Sequence, residues 1–168
     1  MARRKIAVIG NSGSGRSSSV KMLGGDLAIA EMDVHFDTRV SPPYEQVLKW
    51  ILKRTEGQDV VDMSAHIQML RDMTDAKRNA LHADRFSQIL FVYLYNSDPE
   101  KRRQFLEQPN ARGHRRRPEN IELTLTYHDA VYEACKDLAD VTINTTHIGI
   151  KEVATLIDGL RHAVIEPS

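Results

Sequence analysis

Short apolar segments alternate along this chain with longer segments that have a helical period. Residues 5–9 are apolar and rich in β-branched side chains, and they end at a glycine, which is typical of a buried strand that runs into a loop. Similar segments follow at 28–32, 59–63, 89–95 and 141–144, with room for a helix between successive segments. Strands that alternate with helices in this way predict an α/β fold on a parallel sheet.

The intervening segments carry signals for helices. Ser41-Pro42-Pro43 predicts a helix start with proline in the first turn, and residues 44–54 continue that helix. Ser97-Asp98-Pro99-Glu100 gives the same signal for a later helix. Apolar residues recur at intervals of three and four within 127–138 and 150–160, which predicts two amphipathic helices.

Length and composition limit the class of protein. The chain has 168 residues, 41% of them hydrophobic and 27% charged, which indicates one globular domain over residues 1–168. Its apolar runs are far shorter than the roughly 20 residues of a membrane-spanning helix. We expect a cytoplasmic protein without a membrane span, because the apolar stretch after the basic start is too short for a secretory signal and the single cysteine, Cys135, excludes an internal disulfide.

Charge is balanced over the chain but not along it. Basic and acidic residues number 23 each, yet residues 101–117 hold seven basic residues and one acid, Glu107. Residues 108–119 also contain two prolines, a glycine and no apolar period, which predicts a loop. A basic loop on a mildly acidic body indicates a local anionic ligand, and the neutral total argues against a nucleic-acid-binding surface.

A glycine-rich segment lies between the first predicted strand and a predicted helix. It matches the phosphate-binding pattern G-x-x-x-x-G-K-[S/T] at every fixed position, except that Arg16 replaces lysine. Glycines let backbone amides turn toward a phosphate, and the following helix start adds partial positive charge. The alternative is a turn that only connects strand to helix. The predicted phosphate-binding residues are Gly10, Asn11, Ser12, Gly13, Ser14, Gly15, Arg16, Ser17 and Ser18.

Two side chains of this segment have predicted roles of their own. Ser17 is expected to ligate Mg²⁺. Arg16 keeps a positive charge, but its planar fork differs from the point charge of an ammonium, so phosphate binding is expected to survive better than phosphoryl transfer.

The glycine-rich segment resembles that of the P-loop kinases of small molecules, a group with nucleoside monophosphate kinases, shikimate kinase and gluconate kinase. The resemblance covers nearly the whole chain, since 112–118 is similar to their mobile lid and 138–146 to their last strand. It implies a three-layer αβα fold with a five-stranded parallel sheet in the order 2-3-1-4-5. It also implies an acceptor-binding region at about 34–83 and a lid at about 107–119, with residues after the last strand near adenine.

Arginines of the predicted lid are candidates for binding phosphate. Phosphoryl transfer spreads negative charge over the equatorial oxygens, and guanidinium groups on a closing loop neutralise it. We expect Arg112 to bind ATP and Arg115 and Arg116 to act in catalysis, with Arg117 as a further candidate. The alternative is a solvated basic loop or a contact with nucleic acid.

Polar residues after the second predicted strand and at the end of the third are candidates for the reaction, because ligands bind at the carboxyl ends of such strands. Asp33 is the candidate base, and His35 and Arg71 are candidate acceptor contacts. Asp62 is expected to orient magnesium-bound water. The alternatives are a structural histidine, a surface arginine and an ordinary cap at a strand end.

Departures from the family bear on the acceptor. Met63-Ser64-Ala65 stands where shikimate kinases have a glycine triplet, and His35 replaces the second acid of their paired-aspartate motif, so shikimate is disfavoured. Asp33-Val34-His35 does not reproduce the spacing of the gluconate kinase signature. Four arginines are compatible with a monophosphate acceptor: Arg39, Arg54, Arg71 and Arg78.

The sequence therefore predicts a monomeric or homodimeric kinase that uses ATP and Mg²⁺. Its expected acceptor is a nucleoside, a nucleotide or a polyol or sugar acid. One alternative is a non-catalytic or very slow nucleotide-binding protein, because Arg16 replaces the lysine. Another is a nucleic-acid end kinase or binder that uses the basic segment.

Overall fold

A computed structural model describes residues 5–10, 14–23, 29–31, 43–54, 60–64, 66–109 and 112–163. Strands and helices alternate through these residues. The strands are β1 (Lys5–Gly10), β2 (Ile29–Glu31), β3 (Val60–Ser64), β4 (Ile89–Tyr95) and β5 (Val141–Asn144). The helices are α1 (Arg16–Lys21), α2 (Tyr44–Arg54), α3 (Ile67–Lys77), α4 (Ala83–Ser87), α5 (Pro99–Glu107), α6 (Pro118–Thr126), α7 (His128–Lys136) and α8 (Ile150–Ala163), and a short 3-10 helix (Ala80–His82) precedes α4.

The strands form one parallel sheet in the order β2-β3-β1-β4-β5. β1 lies in the middle, where Val8 is in register with Asp62 of β3 and Val92 of β4. The predicted α/β class with a parallel sheet is confirmed. Because all strands are parallel, the segments that follow them meet at one edge of the sheet, where open α/β sheets bind ligands.

Helices cover both faces of the sheet. Successive strand residues point to opposite faces, so Val8 packs in one cluster with Val20 of α1 and Ile157 of α8. Ile9 belongs to the opposite cluster, which includes Leu70 of α3. Burial on both faces explains why the strand segments are continuously apolar rather than alternating. Within the described part of the chain, no helix has the length and hydrophobicity to cross a membrane.

The predicted helices are confirmed, but the first turn predicted at Ser41-Pro42-Pro43 is not, because Pro43 precedes α2 and Ser41 and Pro42 lie outside the described residues. α2 spans Tyr44–Arg54 as predicted, and Asp98 caps α5 by accepting hydrogen bonds from the backbone N–H groups of Glu100 and Lys101. The loop predicted over 108–119 is wrong at its end, because Pro118 begins α6. The first N–H groups of a helix have no intrahelical acceptor, so a proline in the first turn costs no hydrogen bond. Pro118 was therefore a signal for the start of α6.

Candidate functional site

The glycine-rich segment turns the chain from β1 into α1. A Cβ at Gly10 would lie 2.5 Å from Ser14 Oγ and 3.0 Å from the carbonyl oxygen of Leu94. Gly15 has a φ of 78°, which is in the left-handed region that favours glycine. The turn itself therefore requires both glycines. Asn11, Ser12 and Gly13 lie outside the described residues, so their predicted contacts with phosphate stay predictions.

Arg16 lies across the carboxyl ends of β1 and β3. Its Nη1 donates to the carbonyl oxygen of Gly10 at 2.5 Å and to that of Met63 at 2.9 Å. Its Nε is 2.5 Å from Asp62 Oδ1, and the Arg16 side chain is only 13% exposed. This last contact is an ion pair without the geometry of a hydrogen bond at Nε. Arg16 thus binds the strand ends of its own chain through two separate nitrogen atoms.

Ser17 and Asp62 meet beside this guanidinium. The Ser17 hydroxyl donates to Asp62 Oδ2 at 2.9 Å, and Asp62 is 4% exposed. Hydroxyl and carboxylate oxygens are ligands that Mg²⁺ prefers, so this pair fits a magnesium ion. No cluster of three or more His, Cys, Asp or Glu side chains suited to a metal occurs among the described residues, and Mg²⁺ typically uses one or two carboxylates together with water and substrate phosphates.

Thr145 ties the glycine-rich turn to β4 and β5. Its hydroxyl donates to the carbonyl oxygen of Ser14 at 3.0 Å, and its backbone N–H donates to that of Tyr95 at 2.8 Å. The buried hydroxyl of Thr146 accepts a hydrogen bond from the backbone N–H of Ser97 at 2.8 Å. The sequence analysis did not predict these contacts of Thr145 and Thr146. The sequence feature that indicates them is the polar run Asn144-Thr145-Thr146 at the end of an apolar strand.

A cavity of about 130 Å³ lies beside this junction. Phe105 and Ile148 contribute apolar surface, while the Ser19 hydroxyl is fully buried and has no hydrogen-bond partner within the described residues. A mainly apolar wall with a few polar groups is typical of a small-molecule site. The lining residues are Ser14, Gly15, Ser19, Asn96, Phe105, Thr145, Ile148, Ile150 and Val153.

The arginines of the predicted lid lie between α5 and α6, and all are exposed: Arg112, Arg115, Arg116 and Arg117. The guanidinium of Arg116 is 5.9 Å from the ring centre of Phe105, in the arrangement of a cation–π contact. Its Nη1 also makes a long hydrogen bond of 3.4 Å to the carbonyl oxygen of Leu106. Arg116 therefore contacts the helix that carries a wall of the cavity.

Of the predicted acceptor residues, Arg71 lies within the described part of the chain. Asp33 and His35 lie outside the described residues and stay predictions. Arg71 is exposed on α3, where it lines a polar groove with Arg78 and Glu133. This groove lies between α3 and α7, and it shares no lining residue with the cavity beside the glycine-rich turn.

A cluster of tyrosines at the carboxyl end of β4 was also missed. The rings of Tyr93 and Tyr95 stack with centres 5.8 Å apart, and Tyr132 of α7 meets Tyr95 edge-on at 5.2 Å. Burial raises the pKa of Tyr93, while burial and then the nearby Arg102 lower the pKa of His128. Tyr93 and Tyr95 are two residues apart on β4, so their rings lie on the same face of the sheet. Tyr95 and Tyr132 are half-buried.

Solved structures with a similar fold cover nearly the whole chain. A gluconokinase from Sinorhizobium meliloti 1021 has a TM-score of 0.52 at 14% identity, over 96% of this chain and 98% of its own. A thymidylate kinase from Candida albicans has a TM-score of 0.51 at 12% identity, over 97% and 93%. The shikimate kinase from Acinetobacter baumannii in complex with shikimate has a TM-score of 0.50 at 15% identity, over 95% and 93%.

The fold is that of the P-loop small-molecule kinases. No family model matches the sequence, and the search of curated proteins finds no match either. Sequence identities this low show a shared fold only, because one fold hosts many functions. The P-loop kinase fold accounts for the glycine-rich turn after β1, whereas the choice of substrate has to be argued from side chains.

Proposed function

We propose that this protein transfers the γ-phosphoryl group of ATP to a small-molecule acceptor, which is a nucleoside, a nucleotide or a polyol or sugar acid. One observation carries the proposal. The Ser17 hydroxyl, which directly follows the glycine-rich turn, lies 2.9 Å from Asp62 Oδ2 at the end of β3. This is a P-loop arrangement in which a hydroxyl and a carboxylate support the metal of a nucleotide. The kinase-fold neighbours support small-molecule phosphoryl transfer as the general reaction.

The adenine ring of ATP has a candidate site in the cavity beside the turn. Phe105 and Ile148 offer apolar surface to a flat ring, and Asn96 and Thr145 add polar groups to the wall of the cavity. The phosphates would then lie along residues 10–18, where backbone amides and Arg16 are the positive groups. Arg116, which already contacts Phe105, would approach the nucleotide together with Arg112 and Arg115 when the lid closes.

Ser17 and Asp62 would hold Mg²⁺ in this proposal. When bound, the ion neutralises charge on the phosphate oxygens. Asp33 is proposed to accept the proton of the acceptor hydroxyl, with His35 and Arg71 as acceptor contacts. The half-buried rings of Tyr95 and Tyr132 lie at the carboxyl end of β4, the edge of the sheet where the acceptor is expected.

The experiment measures ATP binding by calorimetry and ADP formation with each acceptor class, with and without Mg²⁺. We expect Mg²⁺ to strengthen ATP binding, and at least one acceptor class to stimulate ADP formation. Ser17→Ala should lower the rate about tenfold or more, because it removes a metal ligand. Ser87→Ala is the matched control, since among the described residues the Ser87 hydroxyl bonds locally, to the carbonyl oxygen of Asp84 on α4.

Two results would contradict the proposal. One is ATP binding without ADP formation for every acceptor class, which would indicate a nucleotide-binding protein that does not transfer phosphate. The other is an equal response of the Ser17 and Ser87 variants, which would leave the Ser17 hydroxyl without a specific role.

A further inference from the structure

The carboxylate expected to hold Mg²⁺ is already in contact with a cation of its own chain. Asp62 Oδ1 lies 2.5 Å from Arg16 Nε, and Asp62 Oδ2 accepts the Ser17 hydroxyl at 2.9 Å. Asp62 is 4% exposed, so water does little to satisfy its charge. Both oxygens of the carboxylate are therefore engaged by residues of α1.

Arg16 is held in this position by more than its charge. Its Nη1 donates to the carbonyl oxygens of Gly10 and Met63 at 2.5 and 2.9 Å, and these residues belong to the paired strands β1 and β3. A guanidinium has donors on separate nitrogens in a rigid fork, whereas lysine has its donors on one nitrogen. Arginine at this position can thus bind two carbonyl oxygens and face Asp62 at the same time.

A metal ion at Ser17 and Asp62 would meet this arrangement directly. A divalent cation and the guanidinium repel each other at such short range, and both are attracted to one carboxylate. The guanidinium leaves Asp62 more readily if other anions receive it. Nucleotide phosphates are such anions, because arginine binds phosphate oxygens through two parallel hydrogen bonds.

We propose that Arg16 competes with the divalent cation for Asp62, so that the nucleotide-free chain binds the metal weakly and nucleotide phosphates relieve the competition. Arg16 then makes the binding of metal and nucleotide mutually dependent. The inference deepens the proposed function and rests on it for the assignment of Ser17 and Asp62 as metal ligands.

The test measures Mn²⁺ binding to the nucleotide-free protein from the electron paramagnetic resonance signal of the free ion. We expect Arg16→Met to bind Mn²⁺ about tenfold more tightly than the unmodified protein, because the competing charge is gone. Arg16→Lys, which keeps the charge but loses the fork, should show a smaller gain. The double variant Arg16→Met with Asp62→Asn should lose the gain, because the gain requires the carboxylate.

Arg161→Met is the matched control. Arg161 Nη2 lies 2.9 Å from Asp158 on α8, and its side chain is 16% exposed, so the same substitution removes a similar ion pair outside the site. Its Mn²⁺ affinity should stay within about twofold of the unmodified protein, since only distant charge changes. An equal gain in this control would overturn the proposal. Unchanged affinity in Arg16→Met, or a gain that survives Asp62→Asn, would overturn it as well.

Circular dichroism and urea unfolding of each variant accompany the titration. If Arg16→Met does not fold, Arg16→Lys carries the test, and the absence of any gain in that variant overturns the proposal. Nucleotide is absent throughout, so the outcome does not depend on ATP binding. A chain that shows the Mn²⁺ gain but binds no ATP would contradict the proposed function and leave the competition established.

Discussion

Arginine has opposite surroundings in two regions of this molecule. At the glycine-rich turn, Arg16 is 13% exposed and contacts a carboxylate and two carbonyl oxygens. Between α5 and α6, Arg115 and Arg117 are exposed, and Arg116 has a long hydrogen bond and a cation–π contact. A buried guanidinium requires partners for its charge, whereas an exposed one is hydrated and repositions at little cost. The same side chain is therefore anchored in one region and adaptable in the other.

The largest effect is expected where the anchored arginine loses its partner. Asp62→Asn removes a buried carboxylate that the largely buried guanidinium of Arg16 contacts, so the free energy of unfolding should fall by about 3–5 kcal/mol. Urea unfolding measures the change. Asp158→Asn breaks the more exposed ion pair between Asp158 and Arg161. In that variant the free energy of unfolding should fall by under about 1 kcal/mol. Equal losses in the two variants would show that Arg16 is not anchored through Asp62.

The next effect compares two glycines with the same backbone conformation. Gly15 has φ 78° in the turn and Gly113 has φ 79° in the predicted lid. Alanine is strained at both positions, and Gly15→Ala should lower the free energy of unfolding by about 1–2 kcal/mol. Gly113→Ala should lower it less, because its neighbours are exposed and can adjust. Thermal unfolding compares the two variants, and a larger loss of stability in Gly113→Ala would contradict an adaptable segment between α5 and α6.

A smaller effect tests the cavity wall that connects the two regions. Phe105→Ala removes the aromatic surface beside the turn, and we expect ATP affinity to fall about fivefold to tenfold. Arg116→Met removes the cation–π contact with Phe105, which is worth about 0.5–1 kcal/mol, and should lower the affinity for ATP by less than Phe105→Ala does. Leu123→Ala is the control, since that side chain is exposed on α6. Calorimetric titration with ATP measures all of them. Unchanged affinity in Phe105→Ala would place the adenine ring elsewhere.

The smallest effect concerns pH. Burial, and then the charge of Arg102, lower the pKa of His128 below its ordinary value of 6.5. The unfolded chain therefore takes up this proton before the folded chain does, and stability falls as the pH decreases below about 6.5. His128→Gln should reduce this acid-side loss, which urea unfolding at several pH values measures. An unchanged pH dependence would assign the loss to other groups.

Local sequence signals predicted the elements better than the contacts between them. Asp98 and Pro99 predicted the start of α5, because a side-chain cap and a first-turn proline act within one turn of helix. Pro118 carried the same signal, but the arginines before it favoured a loop. The candidate site was predicted only in part. Ser17 followed from the phosphate-binding pattern and Asp62 from its place at the end of a strand, whereas Ser19, Phe105 and Ile148 gave no local signal of a shared cavity.

The positions of glycine, proline and apolar residues were enough to predict the turn after β1 and the alternation of strands and helices, because these depend on backbone freedom and on residues a few positions apart. The orientation of Arg16 was decided by the folded chain alone. Its partners Asp62 and Met63 lie more than forty residues along the sequence, and they reach it only because β1 and β3 are adjacent in the sheet. An arginine at a phosphate-binding position predicts a charge, and the strand ends around it decide which groups that charge contacts.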